Sequence, residues 1–295
     1  MTVEPGRRYG YYPGCSLLAG AREYDLSLRA VLKAMEIDLV ELEDWNCCGA
    51  VHGSVNREEA GIVLPARNLA LAEAQGLKTI LTPCSGCYKN LRSTAKRIAA
   101  DPSLRATVQK TLKPELGFME EIEVMHPLYE LLRPSMLQRV KKRIMVSLGG
   151  LSIASYYGCM LTRPKDTFDS PERPTGLDTL VLALGGKVVE YAMKAKCCGG
   201  ALVLSHPDVT ARLTGNVLLE AKEAGADVVM LACPLCHAAL DMYQARAERS
   251  LGQRMDIPVL YFTQLMGVAF GIELEALGLS RHLVSPMGEL ARLHA

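Results

Sequence analysis

Short apolar runs alternate with longer helical patterns along the whole chain. The apolar runs predict strands at 40–42, 79–81, 122–125, 189–191, 228–231 and 258–261. The helical patterns predict helices at 66–75, 88–99, 128–132, 216–224, 237–249 and 263–270. Alternation of this kind is typical of βαβ units, so we predict an α/β fold with mainly parallel sheets.

The second half of the chain repeats the cysteine pattern of the first. The first half reads C-x31-CC-x35-C-x2-C, and the second reads C-x37-CC-x34-C-x2-C. The additional residues before the second CC fall in a polar, proline-containing stretch, 162–178, which predicts an inserted loop. We therefore predict two pseudo-symmetric Rossmann-like domains, residues 1–143 and 144–295, with the cysteines in loops at strand ends.

One uncharged stretch, residues 144–162, is long enough to span a membrane. It contains several glycines and serines and runs through Cys159. Central strands of parallel sheets are also uninterrupted apolar runs. We therefore predict a buried strand that leads into a metal site, and no transmembrane segment.

Charge and composition narrow the function classes. A net charge of +1 and 5% aromatic residues give no basic or base-stacking surface, so we predict no nucleic-acid partner. The first residues lack the apolar core of a secretory signal. We therefore predict a cytoplasmic protein, in which the ten cysteines stay reduced. Reduced cysteines favour metal ligation or redox chemistry over structural disulfides.

Five cysteines per half are one too many for a single closed zinc site, which takes four ligands. Thiolates also suit iron–sulfur clusters, and the two sulfurs of an adjacent cysteine pair reach two neighbouring irons more easily than one small ion. The ferredoxin run C-x2-C-x2-C-x3-C-P is absent. The pattern favours iron–sulfur clusters held by several loops, with zinc and dithiol redox chemistry as alternatives.

The halves resemble the cysteine-rich CCG domain, through Cys47-Cys48-Gly49 and Cys197-Cys198-Gly199. Two such domains without a ferredoxin domain resemble the B-subunit of heterodisulfide reductase, and the opening Tyr-Tyr-Pro-Gly-Cys and the segment 44–50 resemble bacterial members. The resemblance implies two non-cubane [4Fe–4S] clusters that together split a disulfide, with one electron for each sulfur. The implied ligands are Cys15, Cys47, Cys48, Cys84 and Cys87 for one cluster, and Cys159, Cys197, Cys198, Cys233 and Cys236 for the other.

The same resemblance implies an oxidoreductase subunit that reduces or forms a disulfide, or acts on a related sulfur substrate. Its partners would be a ferredoxin-like iron–sulfur subunit and a flavoprotein subunit, because no ferredoxin or dinucleotide motif is visible in this chain. The alternative is an electron-relay subunit of a quinone-linked dehydrogenase, in which no substrate contacts iron.

A few polar residues lie near the cysteine motifs. His52 and His237 are candidate proton donors to a departing thiolate, although a structural role is favoured for both. His126 precedes a helix, and we expect a local structural role for it. Lys187 and Lys194–Lys196 could attract an anionic substrate or form a solvated face. The apolar helix at 263–270 is expected to pack in the core, with a subunit interface as the alternative.

Overall fold

The computed structural model describes residues 8–50, 58–112, 116–117, 122–163 and 169–293, and gives only the backbone for 58–60. Within these residues two four-stranded sheets form, one in each half of the chain. Every strand pair in both sheets is parallel. The predicted α/β fold with two similar parallel sheets is therefore confirmed.

The first sheet has the order β2-β1-β3-β4. Its strands are β1 Arg8–Tyr11, β2 Asp38–Glu41, β3 Thr79–Leu81 and β4 Glu123–Met125. The helices of this half are α1 Gly14–Leu18, α2 Arg22–Ala34, α3 Glu58–Ala74, α4 Ser85–Ala100, α5 Pro102–Thr111, α6 Pro127–Leu131 and α7 Pro134–Arg143. The central strands β1 and β3 are largely buried, but only β3, Thr-Ile-Leu, has the apolar sequence typical of such a strand, whereas β1 is Arg-Tyr-Gly-Tyr.

The second sheet has the equivalent order β6-β5-β7-β8. Its strands are β5 Ser152–Tyr156, β6 Lys187–Val189, β7 Val228–Leu231 and β8 Val259–Tyr261. The α-helices are α8 Gly176–Ala183, α9 Pro207–Glu223, α10 Pro234–Met242, α11 Gln244–Leu251, α12 Phe262–Ala269 and α13 Met287–Ala291. Short 3-10 helices lie at Ala192–Ala195, Gly200–Leu202 and Leu279–Arg281.

The stretch at 144–162 contains β5, which pairs with β6 on one side and β7 on the other. This confirms a buried strand. Among the described residues, no helix has both the length and the apolar character that crossing a membrane requires.

Three helix predictions were wrong in their extent. The pattern at 216–224 predicted only the last part of α9, which begins at Pro207. The pattern at 66–75 predicted a helix that starts after Pro65, but α3 begins at Glu58 and continues through this proline. Proline is costly inside a helix, so the sequence argued for a later start. The pattern at 237–249 predicted one helix, but Tyr243, with φ −95° and ψ 3°, separates α10 from α11.

The halves pack against each other through equivalent helices. Helix α2 of the first half lies against α12 of the second, while α6 and α7 lie against α8. The buried apolar residues of both halves form one continuous core. Helix α12 is buried along its whole length, which confirms core packing for this segment. The boundary between residues 143 and 144 stays a prediction.

Candidate metal centre

Six of the ten cysteines follow the central strands of the two sheets, and the two CC pairs follow the edge strands β2 and β6. Cys84 is the N-cap residue of α4, which follows β3, and Cys233 is the N-cap residue of α10, which follows β7. Cys15 lies in α1, directly after β1. A helix N-terminus offers free N–H groups and a positive partial charge, and both stabilise a thiolate.

The first cysteine set, Cys15, Cys47, Cys48, Cys84 and Cys87, is brought together. Neighbouring thiols of this set form hydrogen bonds, from Cys47 to Cys15 and from Cys87 to Cys84. The Sγ atoms of Cys48 and Cys87 are 3.2 Å apart, which is too long for a disulfide. Cys15 and Cys47 are exposed, while the other three thiols are buried.

The second cysteine set, Cys159, Cys197, Cys198, Cys233 and Cys236, has the same arrangement. Hydrogen bonds join Cys159 to Cys197, and Cys236 to both Cys198 and Cys233. Cys197 is exposed, as its counterpart Cys47 is. All ten cysteines lie within the described residues, and all are free thiols.

The two sets meet at their innermost members. The thiols of Cys84 and Cys233 are hydrogen-bonded to each other, and both side chains are buried. The two sets therefore face one another across the contact between the halves, instead of lying in separate pockets.

Glycines leave room for the sulfur atoms. Gly14 and Gly158 both have positive φ, and a Cβ at either position would lie 3.0 Å from the Sγ of Cys87 or Cys236 respectively. A contact this close would force the sulfur to move, and positive φ is itself unfavourable for other residues. Equivalent glycines thus occupy equivalent places in both halves.

Backbone amides also point at the thiols. The N–H of Gly49 donates to Cys47 Sγ, and the N–H groups of Gly199 and Gly200 donate to the Sγ atoms of Cys197 and Cys198, each at 3.4 Å. A hydrogen bond from Cys159 lowers the pKa of Cys197 to about 6, and hydrogen bonds from Cys236 and Cys84 bring the pKa of Cys233 well below its ordinary value. Cys197 and Cys233 therefore favour the thiolate form, at the expense of the thiols that donate to them.

The donor set fits an iron–sulfur cluster in each half. The clustered thiols raise one another's pKa when all must ionise, since a hydrogen bond to Cys197 raises the pKa of Cys159 and one to Cys48 raises that of Cys87. Five thiolates so close together require several positive charges nearby, which a group with multiple irons supplies and one zinc ion does not match.

His237 and His52, the candidate proton donors, have different outcomes. His52 lies outside the described residues. His237 is buried, and burial lowers its pKa to about 3. Its Nε2 lies 3.0 Å from Nδ1 of His282 and 3.2 Å from the Val259 carbonyl oxygen. Its Nδ1 lies 3.9 Å from a carboxylate oxygen of the buried Glu23 in the first half. The role of His237 as a proton donor stays untested.

The lysine cluster is not a simple solvated face. Lys194 is mostly buried, and its Nζ lies 2.8 Å from an Asp178 carboxylate oxygen and 3.1 Å from one of Glu190. Its carbonyl oxygen accepts from the N–H groups of Tyr157 and Gly158, which lie just before Cys159. Lys194 therefore positions the loop of the second cysteine set, whereas Lys187 and Lys196 are exposed.

His126 has a role that sequence reasoning did not find. Its Nδ1 caps α6, which the helix pattern and the position before Pro127 could indicate. Its Nε2 reaches the carbonyl oxygens of Pro83, at 2.8 Å, and Ala232, at 3.1 Å. These two residues precede the two CxxC motifs, and no sequence signal links residues so far apart.

Comparisons with known proteins agree with this geometry. The family model described as "CCG: Cysteine-rich domain" matches residues 9–92 and 153–241. The chain is 33% identical, over 94% of its length and 97% of the relative, to the 8-methylmenaquinol:fumarate reductase membrane anchor subunit of Wolinella succinogenes. It is 32% identical, over 89% of both chains, to the B-subunit of the ferredoxin:CoB-CoM heterodisulfide reductase of Methanosarcina mazei.

A solved structure shares the fold. The crystal structure of a hypothetical protein from Helicobacter pylori matches 95% of this chain and 52% of its own, with a TM-score of 0.76 and 15% identity. Two matched cysteine-rich domains and the similarity over nearly the full chain show that this protein belongs to the CCG-domain family that includes the heterodisulfide reductase B-subunit.

Proposed function

We propose that this chain is the iron–sulfur subunit of a heterodisulfide-reductase-like complex, with one non-cubane [4Fe–4S] cluster on each cysteine set. The complex reduces or forms a disulfide, or acts on a related sulfur substrate. The observation that carries the proposal is the contact between Cys84 and Cys233, which brings the innermost ligands of the two sets together.

The clusters would supply one-electron transfer, and two of them match the two electrons that cleaving one disulfide requires. The chain's own residues hold this pair in place. Ser85 Oγ and the Tyr24 hydroxyl, both from the first half, donate to the Ala232 carbonyl at 3.3 and 3.4 Å, so the segment before Cys233 is attached to the other half.

The burial of the thiols determines which parts of the two sites a substrate or a partner subunit can reach. The inner thiols Cys84 and Cys233 are shielded from solvent, while Cys15, Cys47 and Cys197 are exposed at the outer rim. Electrons from a ferredoxin-like iron–sulfur subunit would enter at an exposed rim, with a flavoprotein subunit as their source. A cytoplasmic location is part of this proposal.

The test is a metal and sulfide count on protein purified without oxygen. We expect about eight irons per chain, from two four-iron clusters. A panel of small disulfides and thiols, including the mixed disulfide of coenzyme M and coenzyme B, is then added and followed by EPR. A new paramagnetic signal with one of these compounds supports sulfur chemistry at iron. About four irons per chain, or zinc in place of iron, would contradict the two-cluster proposal.

A second candidate is a relay subunit of a quinone-linked dehydrogenase. The relative from Wolinella succinogenes, whose name places it in a methylmenaquinol:fumarate reductase, favours this candidate. In that case the iron count is the same, but no thiol or disulfide changes the EPR signal. Oxidation of the reduced clusters by a quinone in the presence of the partner subunits would favour the relay.

A further inference from the structure

His126 lies between the two segments that lead into the CxxC motifs. Its Nδ1 accepts a hydrogen bond from the N–H of Leu128 at 3.2 Å, so the neutral ring carries its proton on Nε2. That single N–H faces two acceptors, the carbonyl oxygens of Pro83 at 2.8 Å and Ala232 at 3.1 Å. One imidazole therefore joins the two halves.

These two carbonyls belong to the residues directly before Cys84 and Cys233. We propose that His126 is a positioning residue that fixes the separation of these two cysteines, and with it the coupling between the two metal centres. This inference rests on the proposed function, because it assigns His126 to the pair of clusters and not to the fold alone.

The surroundings of the ring hold it in this orientation. His126 is fully buried, and the rings of Tyr88, Tyr129 and Phe262 lie at centroid distances of 6.0, 6.1 and 6.3 Å. Phe262 belongs to the second half, so the packing as well as the hydrogen bond crosses the contact. Packed rings leave the imidazole one orientation, and a buried carbonyl that loses its donor is costly.

Two other donors, Tyr24 and Ser85, reach the Ala232 carbonyl but not that of Pro83. Tyr24 and Ser85 attach the Ala232 carbonyl to the first half, at 3.4 and 3.3 Å. The bond from His126 to Ala232 is shorter, and the same N–H also engages Pro83, so His126 ties the two segments to one point. Loss of this N–H should leave the Ala232 carbonyl held to the first half only by the longer bonds from Tyr24 and Ser85, and should release its common attachment with the Pro83 carbonyl.

Two substitutions separate the functions of the ring nitrogens. His126→Asn keeps an acceptor at the position of Nδ1 and so retains the helix cap, but its short amide does not reach both carbonyls. His126→Gln places an amide N–H₂ at the position of Nε2, with a hydrogen for each carbonyl, and gives up the cap. Thr263→Val is the control, because it removes a hydrogen bond between the halves, that of Ser27 and Thr263 at 2.7 Å, without touching a cysteine segment.

The readouts are iron content and the spin–spin splitting of the EPR signal after anaerobic reduction. We expect His126→Asn to narrow the splitting and shift the difference between the two reduction potentials, while the Gln and Thr263→Val proteins match the unmodified protein. His126→Asn with full iron and unchanged splitting would overturn the proposal. If His126→Asn loses iron, His126→Gln becomes the deciding variant. Retained iron and retained splitting in His126→Gln would support the proposal, and an iron loss equal to that of His126→Asn would contradict it.

Different measurements contradict the proposed function and the role of His126. An unmodified protein with about four irons, or with two centres that do not interact, contradicts the proposed function before any variant is compared. An unmodified protein with coupled centres whose splitting survives in His126→Asn contradicts only the role of His126.

Discussion

Each half has one tyrosine and one histidine packed next to its CxxC motif, and the two residue types occupy exchanged positions in the two halves. In the first half a tyrosine, Tyr88, follows the CxxC motif, and a histidine, His126, is the N-cap of the helix after the fourth strand. In the second half the histidine, His237, follows the motif, and the tyrosine, Tyr261, is the N-cap. The rings of each pair pack together, edge to face in the first and stacked in the second.

The exchange has a consequence for hydrogen bonding. His126 donates to a carbonyl of each half. His237 instead contacts His282 and the Val259 carbonyl oxygen of its own half, and its Nδ1 lies 3.9 Å from a carboxylate oxygen of Glu23 in the first half. Within the described residues the Tyr261 hydroxyl is buried without a hydrogen-bond partner. The cysteine geometry is therefore symmetric, while the polar groups behind it are not: both histidines approach the other half, but of the two only His126 does so through hydrogen bonds to a carbonyl oxygen of each half.

The largest effect is expected from the innermost ligands. Cys84→Ser and Cys233→Ser should each lower the iron content from about eight to about four per chain, because each removes a buried ligand of one cluster. The measurement is an iron and sulfide count on anaerobic protein. Equal losses would show that the halves bind metal independently, and loss of all iron from either variant would show that they do not.

A second comparison uses the paired glycines. Gly14→Ala and Gly158→Ala should each reduce the iron held by their own half, because the new Cβ would lie 3.0 Å from a ligand sulfur. Gly76→Ala and Gly225→Ala are controls with positive φ and no atom within 4 Å, so they incur only backbone strain. That strain costs about 1–2 kcal/mol of unfolding free energy, measured by urea denaturation. Iron loss in the controls would contradict the steric explanation.

Acid should destabilise the protein through its buried histidines. Burial lowers the pKa of His126 and His282 to about 4. The unfolded chain therefore binds more protons than the folded protein between about pH 4 and 6.5, so stability falls as the pH falls through this window. Each histidine contributes at most about 1.4 kcal/mol per pH unit.

The acid prediction is checked by urea unfolding of iron-free, reduced protein at pH 7 and pH 5. His282→Gln removes one of these buried histidines, from the second half, and leaves the first half unchanged. It should therefore reduce the pH dependence of the unfolding free energy. If His282→Gln loses as much unfolding free energy between pH 7 and pH 5 as the unmodified protein does, His282 is not a source of the acid destabilisation.

The smallest effect is expected at the contact between α2 and α12. Thr263→Val removes its hydrogen bond to Ser27 and should lower the unfolding free energy by about 1 kcal/mol. Ser27 keeps its bond to the Tyr24 carbonyl, at 3.2 Å, so no buried hydroxyl is left unpaired. A thermal melt measures this loss, and a much larger destabilisation would show that the halves depend on this bond more than on their apolar core.

Much of the fold followed from local patterns. The central strands β3 and β7 were predicted from apolar runs, because a strand that is buried on both faces is typically an uninterrupted apolar run. The cysteine spacing predicted that each set of five would come together, because strand ends of a parallel sheet meet at one edge. The helix boundaries were predicted less well, since a proline inside α3 and the break at Tyr243 depend on surrounding packing.

The sequence by itself determined the repeat, the parallel sheets and the two thiol clusters, because these depend on periodicity and spacing within each half. The structure adds that Tyr12 corresponds to Tyr156, because their hydroxyls donate to the carbonyl oxygens of Asn46 and Lys196, the residues directly before the two CC motifs. The contact of Cys84 with Cys233 and the bridge from His126 were decided only by tertiary structure. Both cross between halves, and packed surfaces bring together residues whose separation along the chain no local pattern records.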